Sequence, residues 1–319
     1  MDYAELCELL GPDAHCNERM SEHTTLRIGG PADIYVAVHN VIELVGAVRV
    51  ARTYALPCLL VGEGANLLVA DAGIRGMVIE NRAQHVNVRR QTDGIVVLAE
   101  SGAPLAELAR YCTRQGIGGL EWAVDVPGTV GGSVVGNAGA YSGRMSDIVR
   151  EASVLTPESE IARLSAADLG FGYRTSRLKQ ERGGRQARTV LLSVEMLLHD
   201  GVREQLEEQA AQFTQRRWQR QPPEPSAGSV FKRTADFPAG HLIEQAGLKG
   251  LRLGQAQISP RHANVIINLG GATAQEVRIL IEIALLMVRE RFGQVLEPEI
   301  EMVGEFAPLA TTLPPWKPA

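Results

Sequence analysis

Pro57-Cys58-Leu59-Leu60-Val61-Gly62-Glu63-Gly64-Ala65-Asn66 is the stretch that decides the fold. A short apolar run enters a glycine turn, the pattern of a buried strand that ends where the backbone must bend sharply. Upstream, residues 33–38 (DIYVAV) read as another strand, and residues 41–54 (VIELVGAVRVARTY) carry apolar positions at helical spacing. The order β-α-β opens an α/β unit. The glycine turn is nevertheless a poor Rossmann match. It runs G-x-G-x-x-Leu67, without the third glycine that lets a helix pack close, so a classical dinucleotide fold is disfavoured while a different phosphate cradle stays open.

Further strands are expected at 66–69, 77–80 and 95–99, with a helix near 103–115. The glycine-rich segment 117–142 reads as loop and tight turn. Residues 189–198 (TVLLSVEMLL) read as a buried strand, and 203–219 as a polar helix ending in Arg216, Arg217 and Arg220. Pro222-Pro223 stops that helix and marks the best domain boundary. Beyond it, 264–268 and 296–303 read as strands. The stretch 273–292 reads as a helix with a Thr273/Glu276 capping box, an apolar face of Val277, Leu280, Ile281, Ala284 and Val288, and a stop at Gly293. The tail, with Pro308, Pro314, Pro315 and Pro318, reads as loosely ordered. No internal repeat or heptad pattern is present.

At 319 residues the chain can form two or three packed units, and 45% hydrophobic content supplies ample core. A net charge of −5 argues against generic nucleic-acid binding. Cys7, Cys16, Cys58 and Cys112 form no CxxC pair and read as free thiols in a reducing compartment. The start has no basic or apolar leader, and no apolar run is long enough to span a bilayer, so a cytoplasmic protein is expected. The histidines show no HxH or HxxxH spacing, so no metal site is expected.

Three glycine clusters stand out: Arg27-Ile28-Gly29-Gly30, Gly62–Asn66 and Pro127-Gly128-Thr129-Val130-Gly131-Gly132. With no Cβ in the way, their N–H groups can converge on an anion such as a pyrophosphate; the alternative is that each is only a turn. Phe171-Gly172-Tyr173-Arg174 sets a guanidinium beside a phenol, suited to a developing carboxylate or enolate, or to a surface ion pair. Ser229, in Ser226-Ala227-Gly228-Ser229-Val230-Phe231, is not in a G-x-S-x-G elbow. It is either a proton donor or a serine satisfied by backbone. Glu297, Glu299 and Glu301 fall on one face by period-two geometry, either facing cations or forming a solvated edge.

In this order, the clusters resemble the UDP-N-acetylenolpyruvoylglucosamine reductase (MurB) family. The matching stretches are TTLRIGGPAD, VGEGANLLVADAGIRGMVIE, GLEWAVDVPGTVGGSVVGNAGAY, FGYRTSRLK, PSAGSVFK, LIEQAGLKG, HANVIIN and LEPEIEMVG, covering nearly everything from residue 24 to 304. The resemblance implies an FAD-binding fold of the vanillyl-alcohol oxidase type. Its two α/β subdomains would be 1–80 and 81–211, followed by an α/β substrate-binding domain at 212–304 and a Pro-rich tail at 305–319.

The chemistry implied has two halves: NADPH reduces non-covalent FAD, and reduced flavin delivers hydride to C3 of the enolpyruvyl ether, giving UDP-N-acetylmuramate. Arg27, Gly62, Glu63, Gly64, Ala65, Asn66, Leu67, Pro127, Gly128, Thr129, Gly131 and Gly132 would hold FAD, and Asn137, Ala138 and Gly139 would flank the flavin. Arg174 and Glu299 would polarise the substrate carboxylate, and Ser229 would protonate C2. Tyr173, Arg220, Lys232, Glu244, His262 and Asn264 would bind UDP-N-acetylglucosamine enolpyruvate.

Only His199-Asp200-Gly201 separates a strand from the next helix, which fits the family's shorter layout, without the inserted tyrosine loop. Ala65 stands where the family usually has serine, and Arg233 and His241 replace a frequent asparagine and lysine. An alcohol or lactone oxidase of the same fold would account for the N-terminal half but not for Ser229 and Glu299. A flavin-binding scaffold would need none of Arg174, Ser229 and Glu299. A monomer is expected.

Overall fold

The computed structural model describes residues 2–181 and 188–308, so most of the Pro-rich tail lies outside the described residues. The chain forms two compact units. Unit 1 comprises Met1–His15, Ile34–Glu63 and Met77–Arg217; unit 2 comprises Cys16–Asp33, Gly64–Gly76 and Trp218–Ala319.

In unit 1 the β-α-β opening forms as the periodicity predicts. The helix Val41–Thr53 starts at Asn40, whose side chain accepts from the Glu43 N–H. The strand Cys58–Val61 then runs parallel to Met77–Glu80, pairing Cys58 with Met77 and Val61 with Glu80. Leu44 and Val48 of the helix pack with Ile34, Val36 and Ile79 in one buried cluster.

The second core of unit 1 rests on an antiparallel sheet in the order Ile161–Ser165, Val149–Leu155, Val190–Asp200, Gly94–Glu100, Val86–Gln91. The helix Leu105–Arg114 covers it with Leu105, Leu108, Ala109 and Cys112, an i, i+3, i+4, i+7 stripe that is fully buried.

The segment expected to be loop, 117–142, contains a short helix, Val130–Val135. Thr129 caps it by accepting from the Gly132 N–H at 3.3 Å, and Val130 and Val134 are completely buried. Two glycines inside so short a helix erase the apolar period that would have revealed it.

Unit 2 is built on the antiparallel order Arg252–Leu253, Ala256–Ile258, Ile266–Asn268. The helix Ala274–Phe292 has both halves of its capping box and ends at Gly293, whose φ of 65° is left-handed. Val277, Leu280, Ile281, Ala284 and Val288 are at most 1% exposed, so the predicted apolar face is the core face. Burying each large member is worth about 1.5–3 kcal/mol.

The expected strand 296–303 is shorter, Glu301–Val303, and pairs in parallel with Leu67–Val69. Pro298 has no N–H to give a ladder, so 296–300 is held instead by an isolated bridge between Phe231 and Pro298. The three glutamates therefore do not share one strand face. No helix among the described residues is long and apolar enough to cross a membrane, and no described group of His, Cys, Asp and Glu is placed to hold a metal.

Candidate active site and cofactor cavity

Ser229 sits on a turn of unit 2 whose main chain is locked from three sides. Gly228 supplies a φ of 69°, which brings the chain round into position. The buried Asn264 side chain then closes on Phe231 with both ends of its amide: Oδ1 accepts from the Phe231 N–H at 3.0 Å, and Nδ2 donates to the Phe231 carbonyl at 2.8 Å. Val230 N–H donates to the Asn264 carbonyl at 2.8 Å, and Glu299 N–H donates to the Val230 carbonyl at 2.7 Å. The half-buried Ser229 hydroxyl itself takes part in no hydrogen bond among the described residues.

Glu299 belongs to the same frame. Its carbonyl accepts from Asn66 Nδ2 at 2.9 Å, and Glu301 N–H donates to the Asn66 carbonyl at 2.9 Å. Asn66 thereby ties the end of the Gly64–Asn66 turn to the segment carrying Glu299. Gly64 is obligatory there: its φ is 61°, and a Cβ would lie 2.2 Å from the His23 carbonyl oxygen. Lys232 is anchored at both ends by Glu297, its N–H on the Glu297 carbonyl and its ammonium on the Glu297 carboxylate.

Of the other predicted substrate residues, Arg220, Glu244 and His262 gather into one electrostatic group with Lys249, which the sequence reading did not single out. Lys249 Nζ donates to Glu244 at 2.8 Å. Burial, reinforced by the cations of Lys249 and Arg220, holds the His262 imidazole below its ordinary pKa, with Glu244 opposing. Asn264 is placed as a support: both ends of its amide are engaged with Phe231. Arg27 is exposed on the turn Thr24–Ile28, where its N–H donates to the Thr24 carbonyl at 3.0 Å.

Arg174 and Tyr173 belong to unit 1. Arg174 has a φ of 55°, uncommon for a long side chain, and two buried polar residues clamp the segment around it. Asn137 donates to the Gly172 carbonyl at 2.8 Å and accepts from the Ser146 N–H at 3.0 Å. Ser176, fully buried, donates to the Val135 carbonyl at 2.7 Å. The Arg174 guanidinium donates to the Gly139 carbonyl at 3.1 Å and lies over the Tyr173 ring. Ser176 was missed because a lone serine after an arginine and a threonine carries no pattern.

Unit 1 also holds a cavity of about 690 Å³, within the range of roughly 300–1,000 Å³ usual for cofactor sites. Its apolar wall includes Val48, Ala51, Leu56, Val61, Val135 and Val190, a lining suited to a flat ring system. Gly62, Thr129, Gly131 and Gly132, all predicted cofactor residues, form part of the same lining. A Cβ on Gly62 would lie 2.6 Å from the Thr129 side chain, and one on Gly131 2.7 Å from the Ser101 carbonyl oxygen, so glycine is what lets these walls close.

The polar lining was not foreseen. Asn81 donates to Ser101 at 2.7 Å, and Ser101 donates to the Leu191 carbonyl at 2.8 Å. Arg52 donates to the Arg188 carbonyl at 2.7 Å. Cys58 presents its accessible surface to the cavity, and the enclosure pushes its thiol up to about 12.

Comparison with known proteins agrees across both units. A family profile described as "UDP-N-acetylenolpyruvoylglucosamine reductase, C-terminal domain" matches residues 220–303, and one described as "FAD binding domain" matches residues 32–165. The chain is similar to the UDP-N-acetylenolpyruvoylglucosamine reductase of Synechococcus sp. (strain JA-3-3Ab), 43% identical over 284 residues, covering 89% of each chain. It is also similar to that of Lachnoclostridium phytofermentans, 39% identical over 293 residues, covering 91% of this chain and 93% of the other. The crystal structure of UDP-N-acetylenolpyruvylglucosamine reductase from Thermus caldophilus superimposes with a TM-score of 0.74 at 32% identity, covering 91% of this chain and 98% of that one. Identity of this level spans about nine-tenths of the chain: the chain belongs to the UDP-N-acetylenolpyruvoylglucosamine reductase family.

Proposed function

We infer that this chain is an FAD-dependent oxidoreductase that uses NADPH to reduce UDP-N-acetylglucosamine enolpyruvate to UDP-N-acetylmuramate, a step of peptidoglycan precursor synthesis. The observation that carries the assignment of roles is the Ser229 turn. Its main chain is fixed by Asn264 and Glu299, while the hydroxyl takes part in no hydrogen bond among the described residues. A half-buried hydroxyl that the turn leaves open is available to a ligand as donor or acceptor.

Bound FAD supplies hydride transfer. The residues supply binding, orientation and the proton. Gly62, Thr129, Gly131 and Gly132 line the cavity that would take the dinucleotide. Arg27, Gly64, Ala65, Asn66, Leu67, Pro127 and Gly128, with the main chain of Glu63, complete its phosphate-side contacts, and Asn137, Ala138 and Gly139 flank the flavin. Arg174, oriented by Gly139, matches a carboxylate with its planar fork and stabilises the enolate that forms as charge moves onto the substrate carboxylate. Glu299 acts on the same group, and Ser229 donates the proton to C2. Tyr173, Arg220, Lys232, Glu244 and His262 bind the UDP-sugar, and Asn264 serves it by holding the Phe231 turn. In functional terms, 1–80 and 81–211 serve the cofactor and 212–304 the substrate. The protein acts in the cytoplasm as a monomer.

Anaerobic rapid mixing tests this reading. NADPH should bleach the flavin band, and the enolpyruvyl substrate should restore it. Bleaching without restoration would leave a flavin reductase of another specificity.

A further inference from the structure

The loop Pro127–Gly132 uses its N–H groups unevenly. Val130 donates to the Ala103 carbonyl at 2.8 Å, Gly131 to the Ser101 carbonyl at 2.7 Å, and Gly132 to the Thr129 hydroxyl at 3.3 Å. All three acceptors are neutral and built into the fold. Gly128 differs: its N–H donates at 2.8 Å to Oε2 of Glu63, a carboxylate on an exposed side chain.

The contact lies at the glycine rim of the cavity. Gly62, next to Glu63, and Thr129, next to Gly128, both line it, and they approach so closely that a Cβ on Gly62 would lie 2.6 Å from Thr129. Gly128 has a φ of 109°, a conformation that L side chains rarely adopt. Two of the four donors meet side chains, but Thr129 is buried and Glu63 is exposed, so the Gly128 N–H can be released by swinging an exposed side chain, with no refolding of main chain.

We propose that Glu63 is an internal placeholder for the cofactor's pyrophosphate: its carboxylate occupies the Gly128 N–H until a phosphate oxygen displaces it. This rests on the reading that the dinucleotide takes this cavity. A carboxylate and a pyrophosphate cannot share one donor, because two anions a few ångströms apart repel. A clasp needed only to join two loops would work as well with a neutral amide. The carboxylate therefore sets cofactor affinity from the opposing side: it holds the empty rim together and weakens every ligand that brings a pyrophosphate.

The test is equilibrium titration of apoprotein by flavin fluorescence and calorimetry, with FAD, ADP, adenosine and riboflavin as probes. Glu63→Ala should bind FAD and ADP tighter, on the order of five- to thirty-fold, from the loss of one charge repulsion near a protein surface. Glu63→Gln should show a smaller gain, since its amide oxygen still accepts from Gly128. Adenosine and riboflavin, which carry no phosphate, should bind as they do to the unaltered protein. Thermal melting of each apoprotein checks that the variants fold.

Equal or weaker FAD and ADP binding by folded Glu63→Ala would make Glu63 a clasp and overturn the proposal. A gain that extends equally to adenosine would assign the effect to cavity shape and overturn it as well. If the unaltered apoprotein binds neither FAD nor ADP, the reading of the cavity fails first, which is a different result from binding that ignores Glu63.

Discussion

The Gly228–Phe231 turn of unit 2 and the Pro127–Gly132 loop of unit 1 look alike in sequence, each a short run of small residues around glycine. They differ in what holds them and in what they leave open. Around Ser229 the main chain is held largely by a side chain, Asn264, and what remains unengaged among the described residues is a hydroxyl. In the other loop the main-chain donors of Val130, Gly131 and Gly132 are turned inward onto Ala103, Ser101 and Thr129, and what remains is space, the cavity wall that Gly62 and Gly131 keep thin. A stretch of small residues around glycine is thus a poor guide to its own use: one holds a side chain in place, the other serves shape.

The largest expected effect comes from removing the group that the first turn leaves open. Ser229→Ala should spare FAD binding and reduction by NADPH, and slow substrate-driven flavin reoxidation by roughly 10²–10⁴-fold, the usual worth of a positioned general acid. Ser229→Cys should recover part of the loss, since a thiol also donates a proton. Rapid-mixing absorbance separates the halves, and reoxidation of Ser229→Ala at the unaltered rate would remove Ser229 from the chemistry.

Asn264→Ala attacks the frame instead of the group. It leaves the Phe231 N–H and carbonyl without their partner, and each such buried loss costs about 1–3 kcal/mol. Urea denaturation should show a destabilisation of that order, accompanied by slower reoxidation with FAD content unchanged. Full stability would mean that the frame is redundant.

Arg174→Lys keeps the charge and loses the fork. Reoxidation should slow by roughly 10- to 100-fold, the equivalent of one charge-assisted hydrogen bond, with reduction by NADPH nearly unchanged. Equal loss in both half-reactions would point to a structural role on Gly139.

On the cavity side, Gly62→Ala places a methyl 2.6 Å from Thr129. Such overpacking typically costs about 1–3 kcal/mol, which should appear as lower thermal stability together with weaker FAD binding. Unchanged FAD binding would show that the two walls can part without consequence for the cofactor.

The smallest effect concerns His262. Its imidazole is held below the ordinary value of 6.5, chiefly by burial. The unfolded chain therefore binds a proton there more readily than the folded protein. Its stabilising contribution is present above the unfolded pKa and is lost as pH falls through the folded one. His262→Gln should flatten the acidic limb of stability against pH; an unaltered limb would assign it to other groups.

Much of this was legible from residues alone because some signals are local. The helix Ala274–Phe292 was readable to within a residue, since its capping box, its apolar stripe and Gly293 each act within a few positions. The β-α-β opening was readable for the same reason. The strand expected over 296–303 was not, because alternation cannot weigh the missing N–H of Pro298 against a partner strand 234 positions earlier at Leu67. The helix Val130–Val135 was hidden by its own glycines, of which Gly131 packs close against Ser101.

By itself, then, the sequence determined the family and singled out Ser229, Arg174 and Glu299 as candidates, because these ride on contiguous runs whose chemistry is written in residue types. Tertiary structure alone decided that Asn264 works through the Phe231 main chain, that Ser176 and Asn137 clamp the Arg174 turn, and that Glu63 holds the Gly128 N–H. Those relations join residues tens of positions apart. A hydrogen bond depends on distance and angle in space, and neither is encoded in the spacing of residues along a chain.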